Sequence, residues 1–304
     1  MEKQHFVPRV YLKQFCETNN NLFSTTFVEQ TNKWSSIKIR NINSICYDND
    51  FYNLDSKKAN KHSIPNDFIE RNAFWYEKEY YNLLISEALN GKISNTTIQR
   101  LPLFFLNMKA RNPVFRNSIT KENLNKAIEK STLSMKEKFS WLDESNLTRI
   151  INKSKTIILS SDNIPKEFHV DSLLESTLGR NKVFQEILER ISSYNIVFFK
   201  ISNDNNFFIT SDAPGFSIDI EERVHKIKYI DDIFHFMPLH PKLAVGLMNP
   251  IYHEIKDQIS YIDATKEHID KINYGTSSSC NKYVFGINDK HLKSVIQNIY
   301  PNTP

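Results

Sequence analysis

This chain of 304 residues carries 39 Lys and Arg against 35 Asp and Glu, and 40% of its residues are hydrophobic. The 21 Phe and 13 Tyr supply enough core-forming side chains to exclude wholesale disorder. Six Gly leave no Gly-rich phosphate loop, which excludes the dinucleotide-binding, P-loop and GxSxG hydrolase classes. The net charge of +4 is spread along the chain, which is not typical of a dedicated DNA-binding protein.

The chain shows no sign of export or membrane insertion. No window of about 18 apolar residues predicts a transmembrane helix, and the first residues lack the basic and apolar regions of a secretory signal. Cys16, Cys46 and Cys280 are odd in number and too far apart for metal-type spacing. We therefore expect a reduced, cytoplasmic protein that makes no contact with a membrane.

The amino-terminal part is predicted to contain a short helix and a β-hairpin. In HFVPRVYLKQF, Pro8 and the apolar spacing after it predict a helix. Alternating β-branched stretches predict strands at 22–27 and 36–45. The polar segment 55–67 is interpreted as an exposed loop, in which Asp67 caps the helix that follows.

The middle of the chain is predicted to be a block of helices. Apolar residues recur at helical spacing in five segments, which are 68–89, 93–111, 121–141, 144–155 and 170–193. The second segment contains LPLFFLNM and is apolar enough to be buried on most sides.

After residue 193 the pattern changes to short β-rich runs separated by turn residues. Strands are predicted at 194–202, 205–214, 232–241, 242–249 and 282–287, with helices at 265–274 and 289–300. This order predicts an α+β fold with an amino-terminal helix and β-hairpin, a central helical block and a mostly antiparallel sheet of about four to six strands. We expect one domain, 1–304, with the helical block at about 66–193 and the sheet-rich part at 194–304 joined by the 20–54 hairpin.

His5 and Arg9 lie at the predicted start of the first helix. His5 is a candidate catalytic acid or base, because histidine titrates near neutral pH. Arg9 is a candidate phosphate ligand, since free N–H groups at a helix start favour an anion. The alternative is a surface histidine beside a solvated arginine.

Glu70 and Glu77 are seven residues apart, which places both on nearly the same face of the predicted helix. Carboxylates on neighbouring turns can bind a divalent cation or act as acid and base. Glu77 is therefore a candidate catalytic and metal-binding residue. The alternative is that both are solvated helix formers.

Arg111 and Arg116 flank Pro113, where the most apolar helix is expected to bend or stop. Arginine forks match phosphate geometry, so both residues are candidates to hold a phosphate. A buried ion pair of Arg111 with Glu70 or Glu77 that fixes helix packing is equally open.

Ser211 and Asp212 follow an apolar run and precede a Pro turn, where loop-borne functional residues often lie. Asp212 is a candidate to orient His5, bind a metal or act as a base, and Ser211 is a candidate to position a substrate. The alternative is a local turn in which both side chains accept from backbone N–H groups.

Taken together, these segments resemble DUF4238, a family of bacterial proteins of unknown function. The family's amino-terminal HYVPxxYLxxF motif is matched by HFVPRVYLKQF, and its DFY segment by Asp50-Phe51-Tyr52. Further matches, in chain order, are Glu77, the RxPxxR element of Arg111, Pro113 and Arg116, the TSDxP element of Thr210 to Pro214, the turn Pro238-Leu239-His240-Pro241, and Asn273. SDAPG stands here where SDNPV is more usual.

The resemblance implies a shared site and no particular reaction. It gives a reason to group polar residues from separate parts of the chain, namely His5, Arg9, Glu77, Arg111, Arg116, Ser211 and Asp212. Polar groups that converge in this way are typical of a binding or active site.

From the residue chemistry we expect an intracellular bacterial enzyme that hydrolyses a phosphodiester or phosphoanhydride in a nucleotide or nucleic acid. The expected roles are phosphate binding for Arg9, Arg111, Arg116 and Ser211, Mg²⁺ binding or base catalysis for Glu77 and Asp212, and acid–base catalysis for His5. Two alternatives stay open. The same residues form a buried structural network, or the chain is a non-catalytic ligand-binding or sensor module with a defence-system or antitoxin partner.

Overall fold

The computed structural model describes residues 2–28, 33–138, 141, 143–160, 164–226, 233–252 and 258–300. Its combination of helices with mostly antiparallel sheets confirms the predicted α+β class. The strands are β1 (Lys3–His5), β2 (Asn21–Val28), β3 (Lys33–Trp34), β4 (Lys38–Asn41), β5 (Tyr47–Asn49), β6 (Asn195–Lys200), β7 (Thr210–Ser211), β8 (Phe216–Asp219), β9 (Val224–His225), β10 (Ile233–His240), β11 (Leu243–Met248), β12 (Ile259–Asp263) and β13 (Tyr283–Gly286).

The helices lie mainly between β5 and β6. They are α1 (Arg9–Lys13), α2 (Ser56–His62), α3 (Phe68–Ala73), α4 (Glu77–Leu89), α5 (Asn95–Ala110), α6 (Pro113–Ser118), α7 (Lys121–Lys138), α8 (Glu144–Ser160), α9 (Ile164–Thr177), α10 (Lys182–Ser192), α11 (Lys266–Ser279) and α12 (Asp289–Ile299). In the described ranges, no helix combines the length and apolarity needed to cross a membrane.

The strands form two main sheets. One has six strands in the order β12-β6-β11-β10-β8-β9, and the other has five, in the order β3-β2-β13-β7 with β4 also beside β2. In the described residues, β12 and β6 are the one parallel pair, and β1 pairs separately with β5. β2 pairs with β13, so the amino-terminal hairpin and the carboxy-terminal part share the five-stranded sheet.

The central strands β6, β10 and β11 of the six-stranded sheet are buried on both faces, to which their side chains point alternately. On β6, Ile196 and Phe198 point to a core shared with α1, α4 and α5. Val197 and Phe199 point to a second core, shared with α11. The sheet therefore lies between the amino-terminal helices and α11.

Two of the predicted helices are broken. The segment 68–89 divides into α3 and α4 because Phe74 turns inward and packs against the guanidinium of Arg111, 3.9 Å from the ring centre. The segment 170–193 divides into α9 and α10 at Gly179, whose φ of +69° suits glycine and ends a helix. Periodicity missed the first break, because it depends on a contact that is distant in sequence.

Several local predictions were also wrong. His5 ends strand β1 and does not start a helix, and α1 begins four residues later. The segment 55–67 contains α2, and Asp67 accepts a bond from Arg71 and makes no side-chain cap. The predicted strand at 205–214 shortens to β7. The hairpin turn at 29–32, the end of the predicted helix at 139–140 and the first residue of the strand at 232–241 lie outside the described residues.

Candidate functional site

Arg111 is the centre of a buried charged network. Its Nη1 donates to Glu77 Oε2 at 2.5 Å, its Nη2 donates to the backbone oxygen of His5 at 2.5 Å, and its Nε donates to the Tyr52 hydroxyl at 3.3 Å. The guanidinium also lies over the Phe74 ring. Arg111 therefore joins α5 to α4, β1 and the segment after β5.

Burial governs the acid–base behaviour of this network. It raises the pKa of the Glu77 carboxyl above its ordinary value, although the charge of Arg111 opposes the shift. Glu70 lies close enough to feel both charges, and burial raises the pKa of its carboxyl too. Because a buried carboxylate is costly unless paired, Arg111 is what allows these groups to occupy the interior.

The network leaves some hydrogen-bonding capacity unused. Glu77 Oε1, Glu70 Oε2 and His5 Nε2 are buried atoms that make no hydrogen bond in the described part of the chain. In the same residues, no group of three or more His, Cys, Asp or Glu side chains is arranged to hold a metal ion. Mg²⁺ binding by Glu77 and Asp212 thus stays a prediction.

The His5 side chain is half-buried beside the ring of Tyr47, 5.5 Å between ring centres. Burial lowers the pKa of His5 to about 4, and the positive charges of Arg9, Arg111 and Lys3 act in the same direction. His5 is therefore neutral at physiological pH, which suits an acceptor better than a proton donor.

Arg9 lies outside the network. Its side chain is exposed and donates from Nη1 to Asn43 Oδ1 at 3.1 Å. Its charge still reaches His5, since it contributes to the lowered pKa of that residue.

Arg116 is held one turn further along, on α6. Its Nη2 donates to the backbone oxygen of Phe51 at 2.6 Å, and its guanidinium lies 3.5 Å from the centre of the Phe51 ring. Its Nε donates to His169 Nδ1, so His169 carries its proton on Nε2, which donates to the backbone oxygen of Ala110 at 2.8 Å. These contacts fix α6 and α9 against the DFY segment.

Asp212 is joined to this region through Asn112, whose Nδ2 donates to the Asp212 backbone oxygen at 2.7 Å. The Asp212 carboxylate accepts from the backbone N–H groups of Asn281 and Lys282. Burial raises the pKa of Asp212 to about 6, although these bonds oppose the shift. Ser211 Oγ accepts from the N–H of Ala213, the local turn that the sequence left open.

The predicted site residues are thus partly brought together. Arg111 contacts Glu77 and the His5 backbone directly, whereas Ser211 and Asp212 are buried nearby and Arg116 is half-buried. Glu77, Arg111 and Asp212 are 5%, 2% and 1% exposed. None of the four cavities whose lining residues are described includes them. These contacts fit a structural network better than a substrate site, and the catalytic roles stay predictions.

The sequence missed several members of the network. Tyr52, Phe74 and Asn112 have aromatic or amide side chains, which do not stand out as reactive groups. His169 lies just before the predicted helix 170–193 and is fully buried. The DFY segment was the available signal, because Phe51 and Tyr52 contact the two arginines of the RxPxxR element.

A second feature, named the cationic face, consists of two groups of cations: Lys3 and Arg9 around His5 and Tyr47, and Arg40 and Lys282 beside Tyr283. Lys3 Nζ lies 4.6 Å from the centre of the Tyr47 ring. The Arg40 guanidinium lies 4.8 Å and Lys282 Nζ 5.2 Å from the centre of the Tyr283 ring. Tyr47 is therefore in contact with one cation and Tyr283 with two.

The segment 40–47 joins the two halves of the cationic face. Arg40 stands at one end of it and Tyr47 at the other, and Asn43 between them accepts the bond from Arg9. Among the described residues, none of the four cations of the face is in an ion pair. The neighbouring Asp48 accepts from a backbone N–H group.

Comparisons with known proteins agree with the resemblance seen in the sequence. The model of the family described as protein of unknown function (DUF4238) matches residues 3–290. Searches of curated proteins and of solved structures each gave no match.

Proposed function

Because this chain belongs to the DUF4238 family of proteins of unknown function, we propose a function from the charge and geometry of its own residues. It binds the phosphate backbone of a single-stranded nucleic acid on the cationic face. The observation that carries the proposal is the set of cations without carboxylate partners beside two half-buried tyrosine rings.

This combination suits a single strand for two reasons. Unpaired cations attract successive phosphates, and the binding gains free energy from the release of counterions. Rings of Tyr47 and Tyr283 that remain half-exposed offer faces for unstacked bases, which a duplex does not present. Burial is the main cause of the lowered pKa of His5, and the charges of Arg9 and Lys3 on this face lower it further.

Binding is measured by fluorescence anisotropy with labelled single-stranded DNA and RNA at several salt concentrations. The pair variants K3Q/R9Q and R40Q/K282Q are each expected to weaken binding several-fold. Each pair is also expected to reduce the slope of log affinity against log salt, by about 0.7 for every phosphate that the variant no longer neutralises.

The matched control is K266Q/K271Q. These lysines lie on α11, are exposed and form ion pairs with carboxylates of the same helix. Their removal changes the net charge of the protein by the same amount and is expected to leave affinity nearly unchanged. Equal weakening by all three pairs contradicts a defined face, and unchanged binding by the first two contradicts the proposal.

Hydrolysis is the catalytic form of the proposal, with His5, Glu77 and Asp212 in the roles expected from the sequence. The burial of Glu77 and Asp212 favours binding without turnover. Incubation of the protein and the labelled strand with Mg²⁺ distinguishes hydrolysis from binding without turnover. A cleavage product that is formed by the parent protein and not by H5Q supports hydrolysis. Binding with no product supports a sensor.

The cellular location of the protein and its protein partner are part of the same proposal. Cys16, Cys46 and Cys280 are free thiols, and burial raises the pKa of each, which supports a reducing, cytoplasmic location. A protein partner of the antitoxin or defence type, the alternative raised by the sequence, is tested by co-purification.

A further inference from the structure

A pocket of about 330 Å³ lies on the helical side of the molecule, apart from the cationic face. Its walls come from the end of α3, the segment before α4, and α5, α9 and α10. The lining side chains that matter for recognition are Asn72, Trp75, Tyr76, Arg100 and Asn107. This volume lies in the range of small-ligand sites.

The break between α3 and α4 shapes the aromatic wall of the pocket. Phe74 turns inward onto Arg111, so Trp75 and Tyr76 face the other way and line the pocket. The Trp75 side chain is 71% exposed, although tryptophan is among the costliest side chains to leave in water. An exposed indole on a pocket wall provides a face on which a planar ring can stack.

Arg100 supplies the positive charge of the pocket. Its side chain is exposed and makes no ion pair or hydrogen bond in the described ranges. Its charge is felt by the Tyr76 hydroxyl, which places the guanidinium beside the aromatic wall. A guanidinium without a carboxylate partner matches a phosphate.

Two amides complete the polar lining. Asn72 donates from Nδ2 to the backbone oxygen of Phe68 at 2.8 Å, and Asn107 donates from Nδ2 to the Tyr76 hydroxyl at 3.0 Å. In the described residues, the amide oxygens of both make no hydrogen bond. These oxygens are therefore acceptors for an amino group, as amide side chains are for adenine.

We infer that this pocket binds an adenine mononucleotide, with the base stacked on Trp75, its amino group at the amide oxygens of Asn72 and Asn107, and its phosphate at Arg100. The site is independent of the cationic face and of the proposed nucleic-acid binding. It gives the chain a place to sense a small nucleotide.

Isothermal titration with AMP, adenosine and ribose 5-phosphate separates the contributions of base and phosphate. AMP is expected to bind more tightly than either fragment. The variant W75A is expected to weaken AMP roughly tenfold or more, because stacking on an aromatic side chain is lost. R100Q is expected to reduce the affinity for AMP to that for adenosine, while adenosine binding stays unchanged.

Inosine monophosphate tests the amide contacts, since it carries a carbonyl where AMP carries the amino group. It is expected to bind more weakly than AMP. Equal affinity for the two overturns the assignment of Asn72 and Asn107.

Matched controls keep the test specific. Trp141 is 76% exposed and does not line the pocket, so W141A is expected to bind AMP like the parent protein, as is R149Q on α8. The melting temperatures of W75A and R100Q should stay near that of the parent, because both side chains are exposed. The inference is overturned if AMP does not bind, or if W141A loses as much affinity for AMP as W75A does. A loss of AMP affinity in R9Q/R40Q also overturns it, because the ligand would then bind at the cationic face.

Discussion

Arg111 shows how a single side chain holds distant parts of this protein together. Its guanidinium contacts α4, β1 and the segment after β5 and is 2% exposed. The Coulomb attraction to Glu77 offsets the cost of removing both charges from water only while both partners are present. Removing both charges therefore measures the net contribution of the ion pair to stability, whereas removing one also includes the cost of leaving its partner unpaired.

The variant R111A is expected to lower the free energy of unfolding by about 3–5 kcal/mol, because it leaves Glu77 as an unpaired buried charge. The double variant E77L/R111M removes both charges and is expected to cost less than the sum of E77L and R111M. Urea unfolding of the parent, R111A, E77L, R111M and E77L/R111M measures these differences in the free energy of unfolding. If R111A is as stable as the parent and loses only a measured activity, the structural interpretation of the network is contradicted.

His5 reports on the charge of its surroundings. Its pKa of about 4 lies below the ordinary 6.5, chiefly because of burial and the charge of Arg9. A bound phosphate backbone offsets the nearby positive charges, so the pKa of His5 is expected to rise when an oligonucleotide binds. By linkage, the oligonucleotide then binds more tightly as the pH falls through the pKa of His5 in the complex towards about 4, its pKa in the free protein.

The same pKa has a consequence for stability. Because the folded pKa lies below the unfolded one, the contribution of neutral His5 is fully present above pH 6.5 and is lost as the pH falls through about 4. NMR titration of the histidine rings measures both effects. His291, whose pKa burial also lowers to about 4, is the control and should not shift with ligand. A His5 pKa that stays fixed in saturating oligonucleotide contradicts binding at the cationic face.

Between elements, α11 approaches β8 closely at Gly275. A Cβ on Gly275 would lie 2.2 Å from Phe216 Cε2, far inside a normal contact distance. Helix propensity alone predicts that alanine stabilises a helix interior by about 1 kcal/mol relative to glycine. The packing of Gly275 against Phe216 predicts instead that alanine destabilises the protein.

We expect G275A to lower the free energy of unfolding by roughly 1–3 kcal/mol, because α11 must move away from the sheet. A smaller residue at position 216 relieves the overlap, so G275A is expected to cost less in an F216L background than in the parent. Thermal or urea unfolding decides the sign. An increase in stability means that propensity outweighs packing at this contact.

Across the whole molecule, the sequence predicted the fold class and the positions of most long helices, because those depend on local apolar periodicity. It failed where a tertiary contact overrides that pattern. The inward turn of Phe74 and the strand conformation of His5 both depend on partners far away in sequence, which are Arg111 and Tyr47.

The candidate site was predictable in membership but not in environment. Charge and spacing selected Glu77 and Arg111 as partners, and the ion pair was one of the alternatives. Which interpretation fits depends on exposure, and exposure is a property of the packed molecule. The cationic face and the pocket were missed because their tyrosines, lysines and amides are too common in sequence to stand out.

The pairing of β2 with β13 has a consequence for synthesis. As the ribosome releases the chain, β2 emerges early, while the strand that covers its edge is translated only after the entire helical block. Until then the backbone groups of β2 along that edge have no strand to bond. The growing polypeptide thus carries an open template for β-addition through most of its translation, and termination upstream of β13 releases a product that is prone to aggregate.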